Sequence, residues 1–229
     1  MNFFISDELQ QLYPDVALGI MHYQAIVQKS TPALLELVDK TISELQAKYT
    51  MDDIARIPQI AATRNAYKAL GKSPQEYRNA AEAMLRRVVK GNGLYHINNI
   101  VETNNLVSIS SGYSIGSYDV SCLSGNITLH RAPDGAIYEG IGKGSINIEY
   151  LPTLYDDIGA FGNPSSDSRR AMIQAGDREI VSVLYAFDDG NGLEEWMTHF
   201  KNLLQTYCDV QSAKGSIFRG SDKIILFEK

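Results

Sequence analysis

Residues 124–150 read SGNITLHRAPDGAIYEGIGKGSINIEY. Three short runs rich in β-branched and aromatic residues stand out here: Ile127–Arg131, Ile137–Tyr138 and Ser145–Tyr150. Turn residues separate them, Ser124-Gly125-Asn126 before the first and Pro133-Asp134-Gly135 before the second. Short runs of this kind between Gly, Pro, Asn and Asp clusters are strands and turns. A fourth run, Glu179–Tyr185, follows the same rule. Helical periodicity falls outside this region, so strands and helices segregate along the chain instead of alternating as βαβ units. That pattern predicts an α+β fold.

Working outward, Val16–Val27 (VALGIMHYQAIV) reads as a strand. Thr31-Pro32 opens a helix carrying Leu34, Leu35, Val38, Ile42 and Leu45 at helical spacing. Ile60–Leu70 is a second helix, stopped by Gly71. Ser73-Pro74-Gln75-Glu76 has the residue types of a capping box, and Tyr77, Ala80, Ala81, Met84, Leu85 and Val88 form an apolar stripe behind it, ending at Gly91. On this reading Arg78, Glu82 and Arg86 face outward. Ile97–Leu106 also has a helical period. Gly192–Tyr207 is amphipathic, and the chain closes with two strands, Ser216–Arg219 and Lys223–Phe227, about the turn Gly220-Ser221-Asp222. Residues 1–229 are expected to form one domain, with 192–229 as its closing helix and hairpin.

The 229 residues carry 21 Lys and Arg against 27 Asp and Glu, a net charge of −6. Two cysteines, Cys122 and Cys208, exclude a disulfide scaffold and a four-thiolate zinc site. No stretch approaches 18 consecutive apolar residues and the N-terminus lacks a signal-peptide pattern, so a soluble protein of the reducing cytoplasm is expected, with no membrane contact. The acidic total hides an asymmetry. From Ile54 to Lys90 there are eight basic residues (Arg56, Arg64, Lys68, Lys72, Arg78, Arg86, Arg87, Lys90) and two acids, a local charge of +6. A local positive field attracts phosphate backbones whatever the total; the plainer alternative is a solvated helix face with Arg78–Glu82 and Glu82–Arg86 pairs.

The chemical motifs are mostly negative. His22, His96, His130 and His199 have no metal-ligand spacing, no G-x-S-x-G elbow is present, and nothing calls for a metal or a cofactor. Gly140-Ile-Gly142-Lys-Gly144 looks like a phosphate loop but opens no helix. Two polar groupings remain. Asn98, Asn99, Glu102, Asn104 and Asn105 crowd one helix end, and Gly159-Ala160-Phe161-Gly162-Asn163-Pro164 follows Asp156-Asp157 in a long loop.

The order of residues over a longer span carries a resemblance. Arg64-x-x-Tyr67-Lys68-x-x-Gly71-x-x-Pro74 leads into Tyr77-Arg78 and Glu82-Ala83-Met84-Leu85-Arg86-Arg87-Val88, then Gly91, Leu94, Ile97-Asn98, Val101-Glu102, Asn104-Asn105 and Gly116-Ser117-Tyr118-Asp119. This resembles the B3/B4 domain of the phenylalanyl-tRNA synthetase β subunit, most closely its freestanding form. The likeness is clearest over 54–131. It implies an α+β unit with a β-rich core of mixed and antiparallel sheets and helices packed on one side, hosting a site where a wrongly attached amino acid is hydrolysed from tRNA. The resemblance places pocket positions at Asn98, Asn104, Asn105 and Gly116, with Gly159 and Gly162 as pocket walls, and leaves the catalytic residues unassigned. The family's pocket histidine falls on Gly116, and no acid lies within Ile180–Tyr185 where its pocket glutamate belongs.

The resemblance implies tRNA as partner and an aminoacyl group as ligand, and the basic segment offers Arg64, Lys68, Arg78, Arg86 and Arg87 as the tRNA contacts. Three functions stay open: a trans-acting editing factor that deacylates mischarged tRNA, a non-catalytic tRNA-binding module, and an amino-acid-binding protein. Aminoacyl-ester hydrolysis needs little beyond a placed water and donors to the carbonyl. Ligand-binding readings expect the asparagine helix end and the two glycine segments to surround one hollow. The oligomeric state is open.

Overall fold

The computed structural model describes residues 1–220 and the backbone of 224–225. The first half runs β1 (Asn2–Ile5), α1 (Asp7–Leu12), β2 (Ala17–Val27), α2 (Pro32–Lys48), α3 (Pro58–Ala69), α4 (Ala80–Val89) and α5 (Asn99–Ser111). Six strands follow: β3 (Ser114–Asp119), β4 (Ile127–Arg131), β5 (Ile137–Gly140), β6 (Gly144–Asn147), β7 (Pro152–Tyr155) and β8 (Ala160–Gly162). The chain continues through β9 (Gly176–Ala186), α6 (Leu193–Tyr207), β10 (Ala213–Arg219) and β11 (Ile224–Ile225).

Two sheets make the core. One is antiparallel in the order β10-β2-β9-β3; the other runs β11-β1-β4-β7-β8 and contains one parallel pair, β1 with β4. Side chains alternate across a strand, and here both faces of the first sheet are covered. Leu18, Ile20, Val181, Val183, Tyr185 and Tyr118 meet Phe3, Ile127, Leu129, Leu154 and Phe161 of the second sheet. Met21, Tyr23, Ile180 and Leu184 meet α2, α5 and α6 through Leu34, Val38, Ile100, Val107, Phe200 and Leu204. The order is helices, sheet, sheet. This double covering explains why β2 reads as a nearly unbroken apolar run. Leu45, Ile54, Ile60, Leu85, Val88 and Ile109 form a separate core that anchors α4.

The α+β expectation agrees with this architecture; several local readings need correction. Ser73 caps no helix: residues 73–77 form one turn, closed by the Tyr77 N–H on the Ser73 carbonyl at 2.9 Å. The helix begins at Ala80, capped by Asn79, whose Oδ1 accepts from the Glu82 N–H at 2.9 Å. Tertiary partners favour the later start. The Ala80 N–H donates to the Pro164 carbonyl at 2.7 Å and the Ala81 N–H to Ser114 Oγ at 3.2 Å. The asparagine helix runs on to Ser111 and stops at Gly112, which has a left-handed φ of 82°. Gly140–Gly144 is the tip of the β5–β6 hairpin. The two closing strands join different sheets, β10 beside β2 and β11 beside β1; most of the expected turn between them lies outside the described residues.

Candidate functional site

Helix α4 is organised about one buried charge. Glu82 has no exposed surface, which corrects the expectation that it faces outward. Asn79 starts the helix so that Glu82 falls in its first turn. There its carboxylate accepts from Arg64 Nη1 at 3.0 Å and Arg86 Nε at 2.9 Å, while Arg78 Nε stands 3.8 Å away. Arg64 Nη1 also reaches the Pro74 carbonyl at 3.2 Å. A buried carboxylate persists only when it is paired in this way. Arg64 and Arg86 therefore fasten the helix in place.

The outer side of α4 still carries excess positive charge. Arg78, Arg86, Arg87, Lys90, Ala83 and Asn92, with Met51 and Glu76 across from them, line a groove of about 520 Å³. Counting Arg64 and Glu82 behind it, five cations stand against two acids. Arg87 is held in place: its Nε donates to the Gly93 carbonyl at 2.9 Å and its Nη2 to the Asn92 carbonyl at 3.2 Å, and its guanidinium lies 4.2 Å from the centre of the Tyr95 ring. Of the five basic residues singled out from the sequence, Arg78, Arg86 and Arg87 share this groove. Arg64 lies behind it, and Lys68 is exposed on α3 away from its lining.

The asparagines of α5 are mainly architectural. Asn98 caps the helix, accepting from the Val101 N–H at 2.9 Å. Asn99 ties it to the end of β2 by donating to the Ile26 carbonyl at 2.9 Å and accepting from the Gln28 N–H at 3.1 Å. Asn104 Nδ2 donates to Ser117 Oγ at 2.8 Å, and a hydroxyl chain continues through Ser182 to Tyr23. Its Oδ1 is buried without a protein partner. Asn105 is half-buried.

Gly116 and Gly162 do come together, but around a side chain. A Cβ at either position would lie 2.0 Å from Tyr118 Oη. That phenol donates to Asp167 Oδ1 at 2.7 Å and shares a 2.7 Å hydrogen bond with Tyr185 Oη, while Phe161 packs edge-on at 4.9 Å between ring centres. Burial pushes the Asp167 carboxyl up to about 7, against the smaller opposing effect of the Tyr118 bond. Gly159 stands apart, its N–H on Asp156 Oδ1 at 3.0 Å and its carbonyl on Arg170 Nη2 at 3.0 Å. Ser117 points to the opposite face of β3 from Gly116 and Tyr118. Asn104 and the glycine pair are thus on two sides of the sheet, and Tyr118 stands where the expected common hollow would be. Replacing Gly162 by alanine is expected to cost about 1–3 kcal/mol through overpacking against this rigid ring, read from the urea midpoint.

Tyr118, Tyr185 and Asp167 were not singled out from the sequence. The signal for the first was present: a glycine two residues before a tyrosine on one strand shares its face and leaves room for the ring. Asp167 has no local signal, because its partners come from β3 and β9.

Among the described residues, no group of His, Cys, Asp and Glu is arranged to hold a metal ion, and no helix is long and apolar enough to cross a membrane. The fold and groove define an α+β domain with a cationic helix face. The B3/4 domain pattern matches residues 62–190, more than half of the sequence, and the chain belongs to that family. No curated protein matches it. Among solved structures it is similar to an N-terminal fragment of the phenylalanyl-tRNA synthetase β-subunit from Pyrococcus horikoshii, at 9% identity and a TM-score of 0.44. The alignment covers 94% of this chain and 49% of that one, so the present chain spans about half the fragment's length.

Proposed function

We propose that this protein is a tRNA-associated binding module that holds the phosphates near the aminoacyl end of tRNA along the outer groove of α4. The groove carries the reading: Arg78, Arg86, Arg87 and Lys90 face one cleft with a single acid, Glu76, on its wall. Clustered cations bind polyphosphates through counterion release, which an acidic total does not prevent. Membership of the B3/4 domain family supports the same partner.

Hydrolysis of mischarged tRNA is the second reading. Asp167 speaks for it, a half-buried residue beside two glycines whose carboxyl is pushed up to about 7 by desolvation. Tyr118 speaks against it, because its phenol already fills the space an aminoacyl side chain would need. The binding reading is therefore preferred.

Affinity for unfractionated tRNA, measured between roughly 50 and 200 mM salt, is expected to fall steeply for the wild type. The Arg78→Ala/Lys90→Ala double variant should bind more weakly and show a logarithmic salt slope smaller by about two. Equal affinity and slope in both proteins would remove the groove from the interface. In a panel of mischarged tRNAs the ester half-lives are expected to match those without protein; accelerated hydrolysis would favour the editing reading instead.

A further inference from the structure

We infer that the groove receives a single-stranded nucleic-acid end and that Tyr95 is the platform on which an unpaired base stacks. This rests on the groove reading above and adds to it the kind of nucleic acid and the residue that selects it. Tyr95 is 67% exposed, and it stands beside the cations of the groove through its contact with Arg87. The Tyr95 ring is also held. Arg87 stacks against it from the groove side, fixed by the Asn92 and Gly93 carbonyls, and Asn92 itself lines the groove. At the other end of the loop the Ile97 N–H donates to Glu102 Oε1 at 3.0 Å. An aromatic ring carried on a tethered loop loses little freedom on binding, so more of the stacking energy appears as affinity.

Cations in line with an exposed aromatic match the requirements of single-stranded nucleic acid: charge for the backbone and a flat surface for the base. A duplex offers the charge alone, since its bases are already stacked on one another. Open backbone flanks the platform, because Gly91 and Gly93 adopt left-handed φ of 80° and 61° with nothing within 4 Å of where a Cβ would lie. An acidic peptide would satisfy the cations but has no use for the ring.

The test compares a tRNA, whose 3′ end is unpaired, with a blunt RNA hairpin, whose two ends are paired with one another. Tyr95→Ala is expected to lower tRNA affinity about tenfold without changing the salt slope, and to leave hairpin affinity as in the wild type. Tyr95→Phe, which keeps the ring, should bind tRNA like the wild type. Thermal unfolding of each variant verifies that the exposed substitution leaves the fold intact. If Tyr95→Ala binds tRNA normally while Arg78→Ala/Lys90→Ala is weakened, the stacking inference is overturned and the groove reading stands. If neither variant loses affinity, both fail. Equal losses on tRNA and hairpin would also overturn the inference, since the ring would then not distinguish an unpaired end.

Discussion

Replacing Glu82 by alanine is expected to destabilise the protein by about 3–5 kcal/mol, the cost of leaving buried guanidinium groups without their carboxylate. The side chain is wholly buried and joins three segments: α4 itself, Arg64 on α3 and, through Arg64, the carbonyl of Pro74. Its removal leaves Arg64 and Arg86, both largely enclosed, facing one another. Glu82→Gln keeps the shape and loses the charge, so it should also be destabilised. Arg78→Ala serves as the contrast. Arg78 is nearly half exposed and 3.8 Å from the carboxylate, so its loss is expected to cost less than about 1 kcal/mol. Urea unfolding of the three variants reads these values directly. A Glu82→Ala cost as small as that of Arg78→Ala would mean that the cluster is a surface network and not a fastening.

The second large effect concerns pH. Asp167 titrates near 7 in the folded protein, against an ordinary value of 3.8, because its carboxyl is enclosed by Tyr118 and its neighbours. The folded state therefore holds this proton over a range where the unfolded chain has released it. Its contribution to stability is complete below about pH 4 and is lost as pH rises through about 7, amounting to on the order of 4 kcal/mol at most. Burial raises Glu102 and Asp188 as well, so they act in the same direction. Asp167→Asn isolates the one group: it keeps an acceptor for the Tyr118 hydroxyl and cannot ionise. Measured at about pH 5 and about pH 8, the variant is expected to gain on the wild type by a few kcal/mol at the higher value. A gap that stayed constant with pH would show that Asp167 is ionised in the fold throughout this range.

Much of the fold was legible because local chemistry and tertiary packing agree. Thr31 caps α2 and Pro32 opens it as the residue types require, and Leu34, Val38 and Leu45 are buried at the spacing the sequence displays. Where local signals were misleading, a distant partner had intervened. Ser73 has the better-known capping pattern, yet Pro164 and Ser114 take the first donors of α4, and the helix waits for Asn79. Helix α5 was read five residues short at its end because it is buried on nearly every side, which removes the polar stripe that marks a helix. Strand β3 lacks a run of β-branched residues because Ser114, Gly116 and Ser117 interrupt it, and the glycine admits the Tyr118 ring.

The site divides in the same way. A cluster of basic residues between Ile54 and Lys90 was visible by counting, and three of the five singled out share one groove. That Glu82 would lie inside could not be counted, since it depends on Arg64 arriving from another helix. Tyr95 showed no periodicity and no motif; only its exposure beside Arg87 singles it out.

Backbone hydrogen exchange, followed with and without tRNA, tests the central claim most directly. Bound tRNA is expected to slow exchange in the last turn of α4 and through the loop that carries Tyr95, and to leave β10 and its contact with α6 unchanged. Protection centred on β10 and α6 instead, with residues 86–97 unaffected, would contradict a nucleic-acid interface on the cationic face of α4.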